Sequence, residues 1–164
     1  MKHYNKSKCL KIFFLLFWLT LTAIFFSFVE IQIEGADGWA AKLPTWRIEK
    51  HWLLDVFFGG KPMTGYHAWV ISFMLLVFHL GVFIASKWSL RIEVRIIASL
   101  ILFWIIEDFF WFCFNPAFGF KNFIPSKAIW HKRWLLGFPV EYWIFTIVAL
   151  ILLFLSYTDF KKKR

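Results

Sequence analysis

Glu107 and Asp108 stand side by side in the run LFWIIEDFFWFCFNP, residues 102–116, which is otherwise dominated by aliphatic and aromatic side chains. An acidic residue at the centre of a membrane-inserted helix costs about 2.5–3.5 kcal/mol, so an adjacent pair calls for a proton, a cation, a metal or water. On a helical wheel Trp104, Glu107, Asp108, Trp111 and Asn115 form one stripe, expected to face the inside of a helix bundle. His79 in the preceding apolar run and His131 in the following loop can both supply imidazole to that stripe. Carboxylates beside imidazoles can exchange protons with a substrate or with one another, and Glu107, Asp108, His79 and His131 are therefore the candidate catalytic residues.

Glu107, Asp108 and His79 are also a donor set that a divalent transition metal accepts, which makes such an ion the candidate cofactor. Trp104, Trp111, Asn115, His67 and Arg133 are the candidate ligand-binding residues around them. None of these groups falls in an HExxH or ExxH spacing. The competing reading is that one carboxyl is protonated, or paired with His79, and only locks helices together.

The elements that must position these groups follow from composition. The chain has 164 residues, 60% of them hydrophobic, with 23 Phe and 11 Trp, and its mean hydropathy is +0.64. That lies beyond the apolar usage of water-soluble domains, about 45–50%. Four runs approach the roughly 20 apolar residues that a helix needs to cross a bilayer: residues 12–29, 66–86, 92–114 and 140–157. Backbone groups in lipid must be satisfied internally, so these runs are expected to be helices. The fold class is therefore all-α, a polytopic membrane protein built as a single four-transmembrane-helix bundle over residues 1–164. Residues 12–29 follow a basic leader as a signal peptide would, but the run is long and the nearest small-residue cleavage site, Gly38-Trp39-Ala40, is too far downstream, so a retained anchor is expected.

The net charge of +9 does not point to nucleic acid, because the basic residues cluster at the ends of spans. Lys2, Lys6, Lys8 and Lys11, then Lys87, Arg91 and Arg95, then Lys161, Lys162, Lys163 and Arg164 fall on one side of a four-span chain. By the positive-inside rule both termini are expected in the cytoplasm, with loops 30–65 and 115–139 outside. A bacterial inner membrane is the expected location. Cys9 and Cys113 are far apart and form no metal or redox motif.

Neither outer loop reads as a plain linker. In the first, Pro44 and Thr45 offer a helix start and Gly59, Gly60 and Pro62 a stop. Between them Ile48, Trp52, Leu53, Val56 and Phe57 oppose Arg47, Lys50, His51 and Asp55, the pattern of an amphipathic helix lying in the interface. The second loop is rich in aromatics, and Trp130 and Trp134 are expected to anchor it at head-group level. With the outer edge of the third span near Phe114, the rise of about 1.5 Å per residue puts Glu107 and Asp108 about 9–11 Å inside it, between His67 at the edge and His79 about 16 Å in.

These features point first to a membrane-embedded enzyme or a binder of a lipid-soluble ligand, with membrane lipids as its surroundings. A second class is a non-catalytic subunit or assembly factor whose polar stripe meets a partner membrane protein or a second copy of the chain. A third is proton or ion transport by a homo-oligomer, which four spans without an inverted repeat favour least.

Overall fold

A computed structural model describes residues 2–158, with side chains from residue 8 onward. Lys161, Lys162, Lys163, Arg164 and the side chains of Lys2 and Lys6, which entered the orientation argument, lie outside the described residues. Four helices are long and apolar enough to cross a membrane: α1 (Lys2–Glu34, of which Lys8–Glu34 qualifies), α3 (Gly65–Ala85), α4 (Leu90–Phe114) and α5 (Val140–Tyr157). A six-residue helix, α2 (Trp52–Phe57), a single 3-10 turn (Phe120–Asn122) and two short antiparallel pairs complete the described fold.

The helix ends follow local chemistry. Thr64 caps α3 by accepting the His67 amide (3.2 Å), and Ser89 caps α4 by accepting that of Ile92 (3.3 Å). α1 runs past the expected end of its span, to Glu34, because Gly35 takes a left-handed conformation (φ +62°) that a side chain would resist and donates its amide back to Ile31. The extra turn carries Glu30 and Glu34, expected in a loop, into the helix bundle.

α4 is the middle of the packing, with α1 on one side and α5 on the other, while α3 leans on α4 and hardly touches α5. Ala23, Ala98, Ser99 and Ala149 are buried, and such small residues let helix backbones approach closely. Around them Leu19, Met74, Leu102 and Phe103 fill one core cluster. A second cluster, Ile31, Trp111, Phe112, Phe123, Ala128 and Tyr142, joins the ends of α1, α4 and α5 to the loop over residues 115–139.

That loop folds inward. Asn115 closes its start: its Oδ1 accepts the amides of Ala117 (3.0 Å) and Phe118 (3.1 Å), and its Nδ2 donates to the Gly35 carbonyl (2.6 Å). The Trp130 ring stacks on Phe112 with centroids 5.7 Å apart, and the Trp134 indole donates to the His131 carbonyl. Both tryptophans are therefore packing residues of the loop, half-buried in it, in place of the outward anchors expected from sequence. The loop returns through β3 (Trp134–Leu135) and β4 (Phe138–Pro139), joined by Leu136 and Gly137 at positive φ, the backbone of a tight hairpin turn.

The first loop differs from its expected amphipathic helix. Only Trp52–Phe57 is helical, capped by His51, whose Nδ1 accepts the Leu53 amide. Residues Arg47–Ile48 (β1) instead pair with Met63–Thr64 (β2). The reason is the Arg47 guanidinium, which reaches the carbonyls of Ala40, Ala41 (3.1 Å) and Leu43 (3.3 Å) and holds the chain in a turn where the helix would have begun.

Candidate functional site

A cavity of about 550 Å³ lies between α3, α4 and α5 under the two loops. Its polar end is walled by Glu30 and Glu34 of α1, Lys61 of the first loop, Glu107 and Asp108 of α4, and Glu141 of α5. His67 completes that end. The other end is apolar, lined by Ile71, Ile97, Ile101, Phe145, Val148 and Leu152. Ile97 and Val148 are about two-fifths exposed as well as lining the cavity, so this end opens sideways where α3 stands off from α5.

The chemistry at the polar end centres on His131, whose side chain is fully buried. Its Nδ1 lies 2.8 Å from Glu141 Oε1, and its Nε2 lies 3.2 Å from Asp108 Oδ2, in ion-pair contact though not aligned as a hydrogen bond. The Tyr142 hydroxyl donates to the same Asp108 oxygen. Asp108 keeps about a quarter of its surface open, and it lines the cavity. Lys61 Nζ stands 3.7 Å from Glu141 Oε1 and 4.3 Å above the Trp39 ring. The other face of this network is a stack of Trp39 on His67, with centroids 3.9 Å apart, where His67 Nδ1 meets Thr64 Oγ1 at 2.7 Å.

Glu107 belongs to a second group beside the first. It is 2% exposed and lines the cavity with Glu30, which accepts from the Tyr66 hydroxyl (2.9 Å). Glu34 accepts the Ala40 amide at 2.5 Å, which ties the first loop to the end of α1. Among the described residues Glu107 Oε1 and the indole nitrogens of Trp104 and Trp111 have no hydrogen-bond partner.

The structure thus brings together Glu107, Asp108, His131, His67, Trp104 and Trp111. It does not bring His79. That residue lies about 18 Å along α3 from His67, by the helical rise, and its Nε2 is 2.9 Å from Glu93 Oε1 at the opposite end of the bundle. The Trp88 indole donates to the other Glu93 oxygen, so this group is a clasp on the tight α3–α4 turn. Nearby, Arg95 Nη2 donates to the Ser156 carbonyl (3.3 Å) and its guanidinium lies over Tyr157. The metal set Glu107, Asp108 and His79 is not assembled, because α3 pairs its histidine with the first turn of α4, about four turns away from the acids. Among the described residues no group of three His, Cys, Asp or Glu side chains is arranged to hold a metal ion.

Asn115 and Arg133 also lie off the cavity. Asn115 uses its side chain on the loop and on Gly35, and Arg133 is exposed. Lys61, Glu30, Glu141, Tyr66 and Tyr142 complete the site. Glu30 and Glu141 were legible as carboxylates on the same side as the loops. Lys61 has a local signal in the sequence, a lysine between Gly60 and Pro62 beside an apolar stretch, in a loop too hydrophobic to be solvated throughout. Compared with family models, with curated proteins and with solved structures, the chain matches none of them.

Proposed function

We propose that the chain is an integral membrane protein whose cavity holds a lipid-soluble amphiphile, and that Asp108, His131 and Glu141 handle protons on its polar end. The observation that carries this reading is the form of the cavity: an imidazole between two carboxylates at one end, and an apolar trough open toward the bundle's flank at the other. A volume of about 550 Å³ is in the range of roughly 300–1,000 Å³ typical of small-molecule sites. The basic turn with Lys87, Arg91 and Arg95 lies at the far end of the helices from the polar groups, so the positive-inside rule puts those groups in the outer half of the bilayer. The two loops then form the outer roof.

In this site Asp108 is the group that reaches the ligand, since it lines the cavity and keeps open surface. His131 holds or releases a proton beside it, and Glu141 and Lys61 orient the imidazole from behind. The test is mass spectrometry of amphiphiles extracted from the purified chain and from Asp108→Asn. One discrete species should accompany the unaltered protein, and Asp108→Asn should retain a species of different mass, the unconverted form. Identical species in both would remove the catalytic half of the reading, and no bound amphiphile in either would remove the whole of it.

His79 supplies a control of opposite sign. His79→Ala breaks the clasp with Glu93 far from the cavity, so the retained amphiphile should be unchanged in identity and amount. Retention of the same altered species as in Asp108→Asn would return His79 to the site.

A further inference from the structure

Resting on the reading of the cavity as an amphiphile site, we propose that the cavity is loaded from the bilayer, through a slot in the bundle's flank between α3 and α5. Its ligand is a long-chain lipid of the outer leaflet whose tail trails out through the same slot. The site then reads the polar end of that molecule and does not measure its chain.

The roof offers no comparable route. Of the described loop residues that line the cavity, Gly38 and Lys61 are buried, Trp39, Phe58 and Trp130 are partly buried, and Phe57 alone is exposed. The two loops are also pressed together. A methyl group built on Gly38 would stand 2.5 Å from the Trp130 ring, and one built on Gly60 would stand 2.8 Å from Lys132 Nζ. The backbone of the first loop thus runs in contact with side chains of the second, an approach that glycine permits. Phe57, the exposed one, is a phenyl ring, which suits the lip of an opening to lipid and not a mouth for water.

The flank is built the other way. On α4 Ile97, Ile101, Trp104 and Asp108 recur at three- and four-residue spacing, and on α5 Glu141, Phe145, Val148 and Leu152 do the same, so each helix gives the cavity one continuous stripe. α3 supplies a wall at the top alone, since His67 and Ile71, in its first two turns, are its lining residues. Below Ile71 it packs elsewhere. Met74 joins the cluster that holds Leu19 and Ala23 of α1, and Phe78 lies against Phe103 with centroids 5.5 Å apart. The lower trough therefore lacks a third wall, and Ile97 and Val148, 42% and 39% exposed, border the cavity and the lipid together.

Such a slot suits a molecule that already lives in lipid. A hydrocarbon chain drawn through the roof would meet water, at a cost for every methylene exposed, whereas one sliding in from the flank keeps apolar neighbours throughout. From Asp108 to Ile97 on α4 is about 16 Å by the helical rise, and from Tyr142 to Leu152 on α5 about 15 Å. A longer tail has no end wall to strike, because the lower trough is open on its side. A lipid whose tail outruns the trough fits as well as one whose tail ends inside it.

The experiment uses the full chain in phospholipid vesicles, with Cys9→Ser and Cys113→Ser and one new thiol at the polar end, Asp108→Cys. Phe145→Cys, which removes no charge, repeats each measurement at the head of the trough. N-dodecylmaleimide and N-octadecylmaleimide are supplied in the bilayer. A small maleimide bearing a trimethylammonium group, which the carboxyls would attract, is supplied in the outer water. Labelling rates are read by intact-protein mass spectrometry. The water-borne reagent should label both thiols about tenfold or more slowly than the exposed loop thiol of Ile129→Cys, since it must await a local opening of the roof. The two lipid-borne reagents should label at equal rates, and adding Val148→Trp to fill the slot should slow both without changing the water-borne rate. Water-borne labelling as fast as at Ile129→Cys, or lipid-borne labelling that Val148→Trp leaves unchanged, overturns the slot while leaving the amphiphile site standing. A marked loss of rate from the dodecyl to the octadecyl reagent overturns the trailing tail. If no reagent labels either cavity thiol while Ile129→Cys is labelled, there is no reachable cavity and the amphiphile reading itself fails.

Discussion

His131→Ala should lower the free energy of unfolding by about 3–5 kcal/mol, the cost of removing one partner from a buried ionic group. The imidazole is fully enclosed and separates two carboxyls, with Glu141 2.8 Å away on one side and Asp108 3.2 Å away on the other. Without it the two acids face each other and a void across a poorly solvated space. Denaturant unfolding in micelles, followed by tryptophan emission, measures the loss. The same truncation made with Asp108→Asn and Glu141→Gln should cost less by more than about 1 kcal/mol, since a neutral pair no longer needs the imidazole. Equal costs in the two backgrounds would mean that His131 acts only by filling space, and the proton-handling role would lose its structural basis.

Phe112→Ala should cost a similar amount, about 3–5 kcal/mol, for a different reason. The ring is completely buried and packs on Phe118 (5.4 Å between centroids), Phe123 (4.5 Å) and Trp130 (5.7 Å). It is the point at which the second loop is fastened to α4. Its loss leaves a cavity under Trp130 and loosens the segment that carries His131 to Asp108. Phe112→Leu refills much of the volume and should cost markedly less. Unfolding curves for the two variants check the magnitudes. If Phe112→Ala were nearly neutral, the loop would be held by its backbone turns and not by this aromatic contact.

The two residues show why some of the site was legible and some was not. Glu107 and Asp108 announce themselves, because charge in an apolar run is costly wherever the helix goes. The stripe they share with Trp104 and Trp111 follows from 3.6 residues per turn, and those four residues do line one cavity. Asn115 continues the same stripe on the wheel, yet the helix ends there and its side chain serves the turn. Periodicity describes a face only while the helix lasts. Depth along the helix places His79 within reach of the acids, but its nearer carboxyl, Glu93, sits across a short turn and takes the imidazole. The loops were the least legible. One guanidinium bonding to loop carbonyls was enough to replace most of an amphipathic helix with a turn and a strand pair.

By itself the sequence determined that four helices would form and about where, since long apolar runs leave the backbone no better partner than itself. It also determined that the acids of α4 would need company. Which groups provide it was decided by tertiary structure alone. His131 is 23 positions from Asp108, on a loop whose path depends on Phe112, Trp130 and Asn115, and Lys61 arrives from the other loop. Helices arise from interactions a few residues apart, and these can be read along the chain. The partner of a buried charge is settled by whichever segments pack beside it, and local pattern carries no record of that choice.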